Sequence, residues 1–283
     1  MKKWLKVIGA GVLAFSLAAC GSQAEPKTTV DAETGKEKET TDISKMTAQE
    51  VYEKAMAVSQ EQKSMHTDMD IEQVMKSGGE TVNSKITLNM DAVVEPMTIH
   101  QTMKMDMGEY GQNEMEMYIS EKEVYMNDAE TGQWIKFPEE FAAEMFEELA
   151  GEDPTLDMKL FKDYVDEFKF EQTDDSYILK LKASGEKFEK LLKQMEEDQA
   201  SGAEAEAEEM TLHDVYFEIY IDKETFYTTA FNMDMSLDMV IDGETVNTDQ
   251  KVKAVITKIN EVEVTVPQDV VDNAVDMSEL MGE

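Results

Sequence analysis

Methionine is the residue whose type and spacing could do chemistry in this chain. There are 23 Met in 283 residues, more than Phe, Tyr and Trp combined (11, 9 and 2). Many recur at every second position: Met103-x-Met105-x-Met107, Met115-x-Met117 and Met233-x-Met235, with Met65, Met69, Met75, Met90, Met97, Met126 and Met239 in similar runs. On a β-strand that spacing puts thioethers on one face about 6.5–7 Å apart. Soft thioethers select Cu(I), and such a site needs three of them from adjacent strands. His66 and His100 fall on the opposite parity from the neighbouring Met, and His213 is isolated. A second reading is an adaptable apolar wall that remodels around varied ligands, since Met is unbranched and soft. Its lining would be Met65, Met69, Ile71, Met75, Met97, Ile99, Met103, Met105, Met107, Met115, Met117, Met233, Met235 and Met239. Gln73 and Gln101, of the same parity, would supply the few fixed polar groups such a pocket needs. A third reading is an ordinary core rich in Met. The spacing alone does not choose among the three.

Other chemistry finds little footing. No G-x-S-x-G, H-E-x-x-H or G-x-x-x-x-G-K motif occurs. Three scattered His and a single Cys supply no nucleophile–base pair, so the chain is not expected to be an enzyme, and no cofactor or bound metal is expected. Acidic pairs such as Asp68/Asp70 and Asp234/Asp238 stand among 62 acids and read as a solvated face. The formal charge is −36, with 26 Lys and no Arg. That balance excludes nucleic acid, whose binders need a basic face to release phosphate counterions.

Cys20 is the other residue with chemistry of its own. Lys2, Lys3 and Lys6 precede an apolar run from Val7 to Ala19, the form of a secretory signal and too short for a membrane span. Leu17-Ala18-Ala19-Cys20 then resembles the bacterial lipobox, in which the cysteine is diacylated and becomes the mature N-terminus. The expected location is therefore extracytoplasmic, at the cell membrane, held by lipid on Cys20. Residues 20–46 contain almost no large apolar side chain and read as a flexible tether. As a coil such a tether would span about 25–30 Å. Residues 1–19 are thus a signal peptide, 20–46 the lipidated Cys and tether, and 47–283 a single domain.

The elements that must carry the methionines are strands. Met65, Thr67, Met69, Ile71, Gln73 and Met75 alternate with His66, Asp68, Asp70 and Glu72, the mark of a half-buried strand. The same period runs through 86–94, 97–107, 115–119, 124–126, 177–183, 215–221, 231–241 and 252–256. About eleven strands are expected between Met65 and Lys258, joined by short turns such as Ser77-Gly78-Gly79 and Asp242-Gly243. An antiparallel meander with one apolar face must curl or be covered by helices. Thr47-Ala48-Gln49-Glu50 is a capping box opening one helix, and Pro138-Glu139-Glu140 opens a second. Ser184 is the expected cap of a third, and Pro267 begins a last one. Residues 196–209, rich in Ala and Glu, read as a solvated acidic insert. Gly79-Glu80-Thr81-Val82-Asn83 recurs as Gly243-Glu244-Thr245-Val246-Asn247, which suggests two related hairpins at opposite ends of the sheet.

The lipobox, the M-x-M-x-M strands, Val124-Tyr125-Met126-Asn127 and Gln133-Trp134-Ile135-Lys136-Phe137-Pro138 together resemble Gram-positive extracytoplasmic lipoproteins. Through them the chain resembles the LolA/LppX-like superfamily of lipoprotein and lipid carriers, over about residues 47–270. That resemblance implies an α+β fold: a large curved antiparallel sheet, or half-open β-barrel, with helices covering the concave face. It also implies an acyl chain or other apolar ligand held there, although Met departs from the usual aliphatic and aromatic lining. The expected function is a membrane-anchored lipoprotein binding lipid in a Met-lined cavity. The alternatives are a Cu(I)-binding lipoprotein and a structural or partner-binding envelope lipoprotein.

Overall fold

A computed structural model describes residues 23–30, 37–108, 111–129, 131–150, 156, 158–202, 207–241 and 243–281. The expected signal peptide, Cys20 and part of the acidic insert (203–206) lie outside the described residues.

Three two-residue strands come first: β1 (Glu25–Pro26), β2 (Thr29–Val30) and β3 (Glu37–Lys38). Helix α1 (Ala48–Ser59) follows, opened by the expected capping box. The Thr47 hydroxyl accepts from Glu50 N–H, and Glu50 accepts from Thr47 N–H. A meander then runs through β4 (Ser64–Ser77), β5 (Glu80–Val94), β6 (Met97–Asp106), β7 (Gln112–Ser120), β8 (Val124–Asp128) and β9 (Gln133–Lys136). Helix α2 (Glu139–Ala150) and a 3-10 segment (Met158–Glu167) lead to β10 (Lys169–Gln172) and β11 (Ser176–Ser184). Helix α3 (Glu189–Gly202) precedes β12 (Ala207–Asp222), β13 (Thr228–Ile241) and β14 (Glu244–Thr257). The chain ends in α4 (Gln268–Asn273), β15 (Val275–Asp276) and α5 (Met277–Met281). Eleven strands, β4 to β14, occupy the interval where alternation predicts about eleven.

These strands form one open, curled sheet of 13 strands in the order β1-β10-β11-β12-β13-β14-β4-β5-β6-β7-β8-β9-β15. The fold is α+β, as expected. All internal pairings are antiparallel. Only β1 on β10 and β15 on β9 are parallel, and each covers an edge strand with two residues. Strands β9 and β10 lie near opposite ends of the sheet, so the chain between them must cross one face. It carries α2 and the 3-10 segment with it. Helix α3 sits on β11 and β12, and α1 packs on the 3-10 segment. Together they define a covered inner face.

The inner face holds two apolar clusters of different make-up. Phe161 of the 3-10 segment and Leu191 of α3 pack with Leu179, Leu181, Phe217 and Ile219 of the sheet, all fully buried, and α1 joins the same cluster through Val51 and Ala55. The ring of Phe161 meets Phe217 edge-on at 4.8 Å. Beneath α2 lie Met65, Met90, Ile99, Met117, Ile119 and Val124 with Ala142. A third cluster, on the outer face, seats Val270 of α4 against Tyr118 and Tyr125.

Three sequence expectations change here. The stretch 20–46 is not a free coil where it is described. Lys27 N–H donates to Gln172 O (2.8 Å), and the buried Gln172 amide donates to Ala24 O (3.0 Å) and Ser44 O (3.2 Å) and accepts from Ser44 N–H (2.9 Å). Asp174 accepts from the Thr41 and Asp42 N–H groups at 2.7 and 3.1 Å. Hydrogen bonds to the main chain dock this polar segment, which composition cannot reveal. Ser184 does not cap a helix: it ends β11. Gly185, at φ 71°, precedes a 3-10 turn (Glu186–Phe188) with no side-chain cap. The two Gly-Glu-Thr-Val-Asn hairpins are not at opposite ends. Strand β14 pairs with β4, Asn247 opposite Lys76, so the hairpins β13–β14 and β4–β5 stand side by side at the centre.

Candidate functional site

Register decides whether the methionines converge. Reading across β13, β14, β4, β5, β6 and β7, one lateral row is Phe231–Ala254–Met69–Leu88–Met103–Met115. Its neighbour is Met233–Val252–Ile71–Ile86–Met105, ending at Asn113. Met65 lies opposite Ala92, which lies opposite Ile99; Met75 opposite Val82; Met97 opposite Val94; Met117 opposite Met126. Met235 and Met239 lie opposite Gln250 and Val246. Since lateral partners share a face, every expected lining residue within a strand lies on the inner face. Met107 alone falls one residue beyond β6, in a turn where its N–H donates to Gly111 O (3.0 Å).

The rows form an apolar lane two rows wide with polar borders. On one side run Gln250, Gln73 and Ser84 in register, with Thr248 beyond them. On the other, Thr67 and Gln101 flank Met90. The Thr67 and Thr248 side chains are 0% and 2% exposed, and neither hydroxyl has a hydrogen-bond partner. Such hydroxyls are uncommon and call for a physical reason. At the β13–β14 end the lane is closed: Phe231, Val252 and Ala254 are buried, with Leu156 packed on them. From β4 to β7 its side chains are half-exposed. At the β6–β7 edge of the sheet a recess of about 880 Å³ is lined by Met105, Met115 and Met126 of this face and by Lys85, Lys104 and Glu114 of the outer one.

The uncovered stretch has a simple cause. A 14-residue strand such as β4 is about 47 Å long. A 12-residue helix such as α2 covers about 18 Å. The helices shield the end of the sheet near Met65 and Ile99, and on β4 to β6 the hairpin-tip end is left partly exposed.

Titratable groups gather on the outer face. All three His are there or at its margin, each beside a carboxylate: His66 Nδ1 to Asp91 (2.7 Å), His100 Nε2 to Glu116 (2.9 Å) and His213 Nε2 to Asp238 (2.9 Å). Lys180 Nζ bridges Glu171 (2.8 Å) and Glu218 (3.0 Å). Desolvation pushes Glu171 and Glu218 up, but hydrogen bonds from lysine outweigh it and hold both carboxyls below the ordinary range. Lys180 is desolvated too, yet the same bonds raise it. Burial and the adjacent Glu218 push the Tyr220 phenol up to about 12. Lys136 Nζ pairs with Glu123 at 2.6 Å and is raised by that bond. These groups are mutually paired and separated by the sheet from the methionine face. Among the described residues no group of three or more His, Cys, Asp or Glu could hold a metal ion.

Sequence reading alone left Ile86, Leu88, Thr248 and Gln250 out of the site. Parity was their only signal, and it names a face, not neighbours across strands.

No curated protein matches the chain. Among solved structures it is similar to LprF from Mycobacterium bovis, at 12% identity and TM-score 0.40, covering 78% of this chain and 95% of that one. It is also similar to a DUF1329 family protein from Desulfovibrio piger, at 11% identity and TM-score 0.25, with the same coverages. A sequence family of unknown function, DUF6612, matches residues 47–275. The chain therefore belongs to the DUF6612 family.

Proposed function

We propose that this protein is a membrane-anchored extracytoplasmic lipoprotein that binds a lipid or other apolar ligand on its methionine face, in the manner of LolA/LppX-like carriers, and that it is not an enzyme. One observation carries the reading. Methionines from β13 through β7 fall in register on a single inner face, and the lane positions of that face from Met69 to Met115 are partly exposed. A strand needing only a packed core is better served by Val, Ile and Leu. Capture would draw on apolar area removed from water, at about 25 cal/mol per Å².

Anchoring would be by acylated Cys20. No helix among the described residues is long and apolar enough to cross a membrane. Because the Ala24 carbonyl is already held by Gln172, only about 14 Å of extended chain separates it from Cys20. The domain would thus sit against the bilayer instead of hanging from a 25–30 Å leash.

Native mass spectrometry of the gently purified full chain should show a lipid adduct, and the protein should take up a fluorescent acyl probe. Absence of both would overturn the carrier reading. Cys20→Ser should release the protein from membranes, which tests the anchor separately.

A copper reading is favoured by one further observation: Met103 lies directly opposite Met115, and Met117 opposite Met126. Cross-strand partners have Cβ atoms about 5 Å apart. Anaerobic Cu(I) titration decides it. A tight site that is lost in Met103→Leu/Met115→Leu would establish copper binding.

A further inference from the structure

We infer that the protein rests on a lipid bilayer by a strip of side chains running from Ile43 to Val94, at the end of the sheet opposite the hairpin tips. The inference rests on the Cys20 anchor proposed above and names the surface that the anchor brings to the membrane.

The place where the chain enters the domain comes first. Gln172, the last residue of β10, holds the Ala24 and Ser44 carbonyls, and Gln23 bridges Thr47 at the start of α1. Gln172 lies level with Tyr177, and Tyr177 with Ile221, one residue from the end of β12. An acylated Cys20, at most about 14 Å of extended chain from Ala24, therefore lies near the β12–β13 turn. The β4–β5 tip is at the other end of a strand about 47 Å long.

A continuous strip runs from that entry point along the neighbouring turns. Lys223 Nζ donates to Asp42 O (2.5 Å), and the Asp222 N–H donates to Tyr227 O (3.0 Å), closing the turn that carries Lys223 and Tyr227. Asn260 Nδ2 donates to Tyr227 Oη (3.1 Å), the Lys63 N–H to Asn260 Oδ1 (2.7 Å) and the Val94 N–H to Lys63 O (2.8 Å). Ile43, next to Asp42, is 54% exposed, and Val94 is 40% exposed. Singly, such side chains need no explanation. Their place on one bonded strip, with the anchor at one end of it, supplies one, because contact with lipid removes them from water.

The hairpin tips are built differently. Residues 77–81 and 243–245 are Ser, Thr, Glu or Gly, and none of the exposed large apolar side chains lies there. Charge narrows the kind of contact. On the strip exposed Lys63 and Lys258 stand beside exposed Glu61 and Glu261. They form no basic patch of the kind that calls for anionic lipid, so the contact is apolar. In this pose Met75 stands about 36 Å along β4 from Ser64, on the side away from the bilayer.

Fluorescence quenching tests the pose. Cys20 is the only cysteine and is consumed by acylation, so one added cysteine takes the fluorophore. The lipid-modified full chain is placed on phosphatidylcholine vesicles with nitroxide on a fraction of the headgroups. Labels at Lys63→Cys and Glu224→Cys should be quenched at least threefold more than labels at Thr81→Cys and Glu244→Cys. Adding Ile43→Asp and Val94→Asp should cut quenching at the Lys63→Cys label at least twofold. Circular dichroism melts verify folding, and Val94→Asp alone serves if the pair does not fold. Equal quenching at both ends, or stronger quenching at the tips, overturns the strip while the anchor stands. An unchanged signal with the added Asp does the same. If the protein does not sediment with the vesicles, the anchor reading fails and the strip with it.

Discussion

The two halves of the inner face obey the same alternation in one continuous sheet, yet they are built from different residues. On β11 and β12 the inward side chains are Leu179, Leu181, Val215, Phe217, Ile219 and Ile221, sealed beneath three helical segments. On β4 to β7 the inward positions carry Met69, Met75, Met103, Met105 and Met115, half-exposed. Branched and aromatic side chains have few rotamers and lock into a unique packing. Methionine has three rotatable bonds and tolerates a changing neighbour. Methionine thus dominates the partly exposed positions, although Met65, Met90 and Met117 are also buried beneath α2. One half behaves as a core, and the other as a surface kept apolar without being finished by its own chain.

The largest test of that contrast is Phe217→Ala. It should cost about 3–5 kcal/mol of stability, measured by urea unfolding, because it opens a cavity against Phe161. A loss under 1 kcal/mol would mean that the sealed half is not a rigid core. Next is Gln172→Ala at the edge of the sealed half. It should cost about 1–3 kcal/mol, since three main-chain partners lose their bonds. It should also expose residues 23–46 to protease, a readout that does not depend on lipidation.

A pH series probes the outer face of the same half. Glu171 and Glu218 are lowered in the folded state, so their contribution is present above the ordinary value of 4.5 and is lost as pH falls through the folded values. Lys180 is raised, so its contribution is present below 10.5 and is lost as pH rises through its folded value. The urea midpoint should hold a plateau between these limits and decline outside them, and the decline should flatten in Lys180→Met. Smallest is Met103→Leu in the open half. It conserves volume at a half-exposed position and should cost less than about 1.5 kcal/mol. A cost as large as that of Phe217→Ala would erase the distinction between the halves.

Much of this architecture is legible in the residues. Alternation from Met65 to Met75 marks β4 and its inward face, and the Thr47–Glu50 box marks the start of α1. Pro138 with two following acids marks α2. These signals are local, fixed by the period of a strand or the first turn of a helix. The lane was not legible in the same way. Ile86 and Met105 become neighbours of Ile71 only through pairing, and Gln250 meets Gln73 only because β14 lies beside β4. The repeated Gly-Glu-Thr-Val-Asn turns are plain in the sequence, while their side-by-side placement is not.

By itself, then, the sequence determined the period, the faces and the capped helix starts, because each depends on residues within one or two turns of one another. It also determined the strongly acidic charge balance. Tertiary structure decided which strands are adjacent, where α2 stops covering the sheet and how Gln172 holds the polar N-terminal segment. The pairing of β14 with β4 and the Gln172–Ala24 contact join residues more than a hundred positions apart, and period and composition carry no record of them.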